Sequence, residues 1–219
     1  MKAKYIKNIF LTFILSVLIA GCASGPNYLV NLSFVKDAVV DYQENGGFHQ
    51  DATEAVNNAK KKFDKIIPEN NSTVIFDVDE TVLSNYSFNK EWDFGFVEKY
   101  WDMWVDSAKA PAIIEVQNLY NYLVKRGFKI IFITGRKDYQ YDSTKKNLVS
   151  AGYKNFDTLI VRQPAEYNQT ALEFKSEKRA ELTAKGYNIA GTVGDQWSDL
   201  DGSFHGIQVK IPDYQYFIE

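Results

Sequence analysis

Two aspartates, Asp77 and Asp79, separated by one residue, follow the short β-rich run at 72–76, which is apolar at 74–76. Alone, such a pair can be two solvated acids in a turn. At the end of a buried strand it becomes a chemical element, because residues i and i+2 of a strand point the same way. Other reactive groups stand in comparable places. Thr134 and Gly135 close the run at 129–134, Lys175 opens a helical pattern, and Asp195 with Asp199 follows the run at 189–193. Singly, each has an ordinary reading: Thr134 as a strand residue before a Gly turn, Lys175 as a surface lysine, Asp199 as an acid at a helix N-terminus. Gathered together, the carboxylates would repel one another unless a cation lay among them, and hard oxygen donors without a neighbouring His or Cys suit Mg²⁺. With Lys175, the Thr134 hydroxyl and nearby backbone N–H groups opposite the metal, such a site would hold a phosphate group from several sides. Asp77 could then attack phosphorus to give an aspartyl-phosphate. Asp79 beside it could protonate the leaving oxygen and later deprotonate water. The Gly that an EF-hand loop requires is absent after Asp79, and no Arg-His-Gly motif provides a histidine nucleophile.

The elements that must carry these residues alternate along the chain. Short β-rich runs at 72–76, 129–134, 158–161, 189–193 and 206–211 are separated by helical patterns at 111–124, 138–151 and 174–185. Two earlier patterns, 29–45 and 51–67, predict helices flanking Gly46-Gly47, the second opened by Asp51 and Glu54 at capping-box spacing. Alternation of this kind indicates an α/β fold built on a parallel sheet, with ligands bound beyond the carboxyl ends of its strands. Residues 84–110 read as irregular and are dense in aromatics.

The segment Ile75-Phe-Asp-Val-Asp-Glu-Thr-Val-Leu-Ser-Asn85 resembles the first motif of the haloacid dehalogenase (HAD) superfamily. Its continuation after Asp79 is similar to the acid phosphatase subfamily that includes bacterial class C lipoprotein phosphatases and plant vegetative storage proteins. Ile133-Thr-Gly-Arg136, Phe174-Lys-Ser-Glu-Lys-Arg179 and Val193-Gly-Asp-Gln-Trp-Ser-Asp-Leu200 resemble the second, third and fourth motifs, in the family's order. The resemblance implies a HAD-like Rossmannoid three-layer fold with a small α-helical cap at 84–112 and N-terminal helices. It implies a Mg²⁺-dependent acid phosphatase acting on small-molecule phosphomonoesters, nucleoside monophosphates among them, and not on a nucleic-acid polymer. Asp77 would be the nucleophile and Asp79 the acid/base. Asp77, the backbone carbonyl of Asp79, and Asp195 would be the metal ligands, with Thr134, Gly135 and Lys175 binding phosphate. Asp199 would orient Lys175 or a metal-bound water. The fourth motif ends Asp-Leu rather than the Asp-Phe of the bacterial enzymes, which makes it look more like the plant branch. Two alternatives stay open: a phosphotransferase, in which an alcohol replaces water, and a catalytically idle surface lipoprotein that keeps the fold.

Composition fits this reading. The chain has 219 residues, one Cys and two His, so an intramolecular disulfide and a Cys-rich metal site are excluded and almost no room is left for a His-rich centre. A formal charge of −3 argues against a surface that coats nucleic acid. Lys2, Lys4 and Lys7 precede an apolar stretch at 9–20, shorter than the ~20 residues of a membrane span. Residues 1–21 then end in Ala20-Gly21, and the single Cys22 stands where a bacterial lipobox would place it. The expectation is an exported lipoprotein, 22–219 forming one domain anchored to the cell envelope by lipidated Cys22, at the outer membrane if the source is Gram-negative. Aromatics make up 15% of the chain. By helical spacing Phe96, Tyr100 and Trp104 read as core, whereas Tyr86, Trp92 and Tyr216 read as candidates for stacking on a flat leaving group.

Overall fold

The computed structural model describes residues 29–219. They fall into the end of one unit, up to Val35, and a second unit, Lys36–Glu219, which holds the sheet. The expected leader at 1–21 and Cys22 lie outside the described residues. Among those described, no helix is long and apolar enough to cross a membrane.

Five parallel strands run in the order β3-β2-β1-β4-β5: β1 Ser72–Phe76, β2 Lys129–Lys137, β3 Thr158–Arg162, β4 Asn188–Gly194 and β5 Ile207–Lys210. β1 is central and buried at every position, as a strand with helices on both faces must be. Its side chains divide by parity. Val74 and Phe76, with Ile130 and Phe132 of β2, enter the larger core under helices α2 (Gly47–Phe63) and α5 (Ile114–Lys125). Ile75, with Ile131 and Ile133, enters a second core against Phe174 and Leu182 of α7 (Ala171–Ala184). The expected three-layer α/β architecture follows from that division. The remaining helices are α1 (Leu32–Glu44), α3 (Tyr86–Glu91), α4 (Glu98–Ser107), α6 (Tyr141–Ser150) and α8 (Trp197–Leu200).

Several boundaries differ from the sequence expectation. α2 begins at Gly47, four residues before the anticipated Asp51 cap, because Gly46 takes the left-handed conformation (φ 93°) and turns the chain sharply between the first two helices. Asp51 then lies inside the helix, where its carboxylate accepts from the Tyr42 hydroxyl at 2.9 Å. α2 also stops at Phe63 rather than running to 67. α5 starts at Ile114, not at Pro111, whose carbonyl instead accepts from Ser84 N–H at 2.9 Å. α7 starts at Ala171 behind a Thr170–Glu173 capping box. The stretch read as irregular contains α3 and α4, a helical cap between β1 and α5.

Candidate active site

β1 ends at Phe76, and Asp77 N–H still bonds to the Val193 carbonyl of β4 at 2.9 Å. This bond fixes Asp77 at the carboxyl edge of the sheet, next to Asp195 beyond the end of β4. Asp199 reaches the same point from α8, and this approach requires Gly194, since a Cβ there would run into the Asp199 side chain. Oxygens of Asp77, Asp195 and Asp199, all buried, lie within 4.8 Å of one another. α7, packed over the second core, delivers Lys175, whose Nζ bridges Asp77 Oδ1 and Asp199 Oδ1. Thr81 Oγ1 donates to Asp195 Oδ1 at 2.8 Å, Gln196 Nε2 to Asp195 Oδ2 at 2.7 Å, and Gln196 N–H to Asp199 Oδ2 at 2.9 Å.

One lysine among three buried carboxylates leaves excess negative charge, and the titration of the group reflects it. Burial pushes Asp77 up to about 7, against the pull of Lys175 and with Asp199 and Asp79 adding to the rise. Asp195 is raised well above the usual range by burial, then by Asp199 and Asp77. Burial opposes the Lys175 charge, yet Asp199 and Asp77 hold it above an ordinary lysine. An all-oxygen set that is over-charged in this way fits a hard divalent cation, which would favour the ionised carboxylates.

Asp79 faces the same cavity from a different set of partners. Its Oδ1 accepts from Arg136 Nη2 at 2.7 Å and from Asn85 Nδ2 at 2.9 Å, and Arg136 Nε lies 3.1 Å from Oδ2. Arg136 lies within the second motif, and the sequence alone gives it no role. A cation one residue past Gly135, at a strand end already holding acids, was the signal available. Glu80 was missed as well. Burial pushes it up to about 8, with Asp213 and Asp79 adding. It accepts from Asn85 N–H at 2.6 Å and from the Tyr216 hydroxyl at 2.8 Å.

The cavity over these groups has a volume of about 650 Å³ and is lined by Asp77, Asp79, Gly135, Lys175, Asp195 and Asp199 among others. Thr134 is fully buried behind that lining, its Oγ1 accepting from Arg136 N–H at 3.2 Å. Of the three anticipated stacking residues only Tyr216 lines the cavity. Tyr86 is held elsewhere, its hydroxyl on Glu44 at 2.8 Å. Trp92 stacks on Tyr100 within the cap, ring centroids 4.0 Å apart. The core assignment of Phe96 and Tyr100 does not hold, since they are 71% and 36% exposed, and Phe96 forms part of the cavity wall. Phe96 precedes α4, which begins at Glu98, and Tyr100 in its first turn stacks on Trp92 at the edge of the cap. Trp104, by contrast, is half-buried against the main core, as the spacing predicted. The aromatic wall is made by Phe94, Phe96, Trp101, Tyr139, Tyr216 and Phe217.

The family model described as "HAD superfamily, subfamily IIIB (Acid phosphatase)" matches residues 18–219. A stem 31 kDa glycoprotein of Glycine max is 40% identical over 154 residues, 68% of this chain and 61% of the relative. The chain thus spans about three fifths of that relative's length. Acid phosphatase 1 of Solanum lycopersicum is 32% identical over 198 residues, 89% of this chain and 71% of that one. Among solved structures, the class C acid phosphatase of Bacillus anthracis with tungstate bound superimposes with a TM-score of 0.70, covering 85% of this chain and 86% of that chain at 24% identity. The α/β architecture is therefore the HAD-like fold.

Proposed function

The chain belongs to the acid phosphatase subfamily, IIIB, of the haloacid dehalogenase superfamily, and from that membership we propose that it hydrolyses small phosphomonoesters through an aspartyl-phosphate on Asp77. The observation that carries the reading is the convergence of Asp77, Asp79, Lys175, Asp195 and Asp199 on one cavity from separate strand ends and helices. An Asp77 oxygen attacks phosphorus, the ester P–O bond breaks, and its electron pair leaves on the ester oxygen, which takes a proton from Asp79. Water then attacks the aspartyl-phosphate and gives its proton to Asp79, the bond from Asp77 to phosphorus breaks, and inorganic phosphate departs. Lys175, held by Asp199, sets a positive charge beside the attacking oxygen, and the backbone at Gly135 faces the phosphate from β2. We assign the metal as Mg²⁺, held by Asp77, Asp195 and the Asp79 carbonyl with Asp199 adjacent. When bound it neutralises charge on the phosphate oxygens. The aromatic wall suits a flat leaving group, of which a nucleoside is one.

Phosphate release from an aryl phosphate at pH 5–7 tests the reading. Activity is expected to disappear with a chelator and to return with Mg²⁺. Chelator-resistant turnover overturns the metal assignment, and an inert protein overturns the phosphatase.

The proposal includes export and anchorage through Cys22, supported by Lys2, Lys4, Lys7 and the apolar stretch before Ala20-Gly21. Labelled palmitate supplied to a bacterial host is expected to enter the wild type and not Cys22→Ser. Equal labelling of the two removes the anchor from the proposal.

A further inference from the structure

We propose that the cap does more than cover the cavity: helix α4 positions Asp79 through two tryptophan relays, with Arg136 and Asn85 as the positioning residues. The inference rests on the phosphatase reading of Asp79 as the proton donor.

Trp101 and Trp104 stand three residues apart on α4 and so share one face of it. Both rings pack on Phe88 of α3, centroids 5.7 Å away in each case, which joins the two cap helices into one aromatic unit. From that unit two chains of contacts lead to the same carboxylate. Trp104 Nε1 donates to Asn85 Oδ1 at 2.8 Å, which fixes the orientation of the amide, and Asn85 Nδ2 donates to Asp79 Oδ1 at 2.9 Å. The Trp101 ring lies 5.6 Å from the Arg136 guanidinium, which is buried, tied to Thr144 Oγ1 at 3.1 Å, and forked onto Asp79.

The two relays treat the oxygens of Asp79 differently. Oδ1 takes Arg136 Nη2 at 2.7 Å, Arg136 Nε at 3.2 Å and Asn85 Nδ2 at 2.9 Å, so three donor contacts fill it. Oδ2 has a single donor, Arg136 Nε at 3.1 Å. The geometry therefore points to Oδ2 as the less occupied oxygen, the one open to the leaving group and to water. Lysine cannot reproduce the fork, and a phenyl ring at position 104 lacks the N–H that holds Asn85.

The inference is tested through the leaving group. An alkyl oxygen must be protonated as it departs, whereas a nitrophenolate departs readily without help. kcat/KM is compared for glycerol phosphate and 4-nitrophenyl phosphate in the wild type, Arg136→Lys and Trp104→Phe. In Arg136→Lys the alkyl ester is expected to lose about 10²-fold, the scale of a misplaced acid, and the aryl ester no more than about threefold. In Trp104→Phe the alkyl-to-aryl ratio is expected to fall about tenfold, so a misfolded Arg136→Lys does not remove the test. An unchanged ratio in the soluble variants overturns the positioning role, whether both esters fall together or neither falls. A wild type inert toward both esters overturns the phosphatase reading, and the relays with it.

Discussion

Asp77→Asn is expected to reduce turnover of an aryl phosphate by at least about 10³-fold while the protein stays folded. A carboxamide matches the carboxylate in shape and can still accept from Lys175, but it cannot form and release an acyl phosphate. Stability gives an opposite signal. The carboxyl of Asp77 is pushed up to about 7 by burial, against Lys175, so the ionised form is disfavoured in the fold. The stability linked to such a group is present below its unfolded value and is lost as pH rises through the folded one. A neutral amide has nothing to lose on that rise. With a chelator present, Asp77→Asn should therefore melt at or above the wild-type temperature at pH 8, while its activity is gone. Retention of activity within tenfold would falsify the nucleophile assignment. Inactivity with a collapsed melting temperature would trace the loss to the fold instead.

The contrast between what was readable in the sequence and what was not has a physical basis in particular residues. Strand β1 matched its expected bounds, and the other four differ by one to three residues at an end. A strand covered by helices on both faces is buried at every position, so 74–76 reads as an apolar run and the acids that follow stand out as an end. Asp77, Asp79, Lys175, Asp195 and Asp199 were legible for that reason and through their motif spacing. What escaped notice depends on partners far away in the chain. The position of Arg136 past Gly135 marks it as a cation at the sheet edge but does not say that its guanidinium meets Asp79, 57 positions earlier, and nothing near Glu80 announces the Tyr216 hydroxyl. Periodicity also could not show where the helix begins. Phe96 stands at helical spacing from Trp104, yet it precedes α4 and lines the cavity, whereas Trp104 within α4 packs against the core. The capping-box spacing at Asp51 and Glu54 was real but idle, because Gly46 had already started the helix.

Lys175→Met is expected to damage both chemistry and stability, and the stability loss should depend on pH. Lys175 is buried among Asp77, Asp195 and Asp199, and its ammonium pairs with the carboxylates of two of them. Without it the phosphate oxygens lose a nearby positive charge, and activity should fall about 10²–10³-fold. Removing one partner of a buried ion pair costs roughly 3–5 kcal/mol. For a protein of this size that is a fall of about 10 °C in melting temperature. The full effect applies only where the carboxylates are ionised. Lys175 is what lowers Asp77, so its loss sends that carboxyl further above about 7. At pH 5 the carboxyls can relieve the repulsion by taking protons, and at pH 8 they cannot do so as readily. With a chelator present, the variant should thus lose more relative to wild type at pH 8 than at pH 5, and a divalent cation should narrow the gap. The Asp77→Asn, Lys175→Met double variant removes one charge of each sign and should melt above Lys175→Met alone, a non-additive result expected of contacting groups. Equal losses at both pH values, with additive melting shifts in the double variant, would show that Lys175 acts by packing rather than by charge.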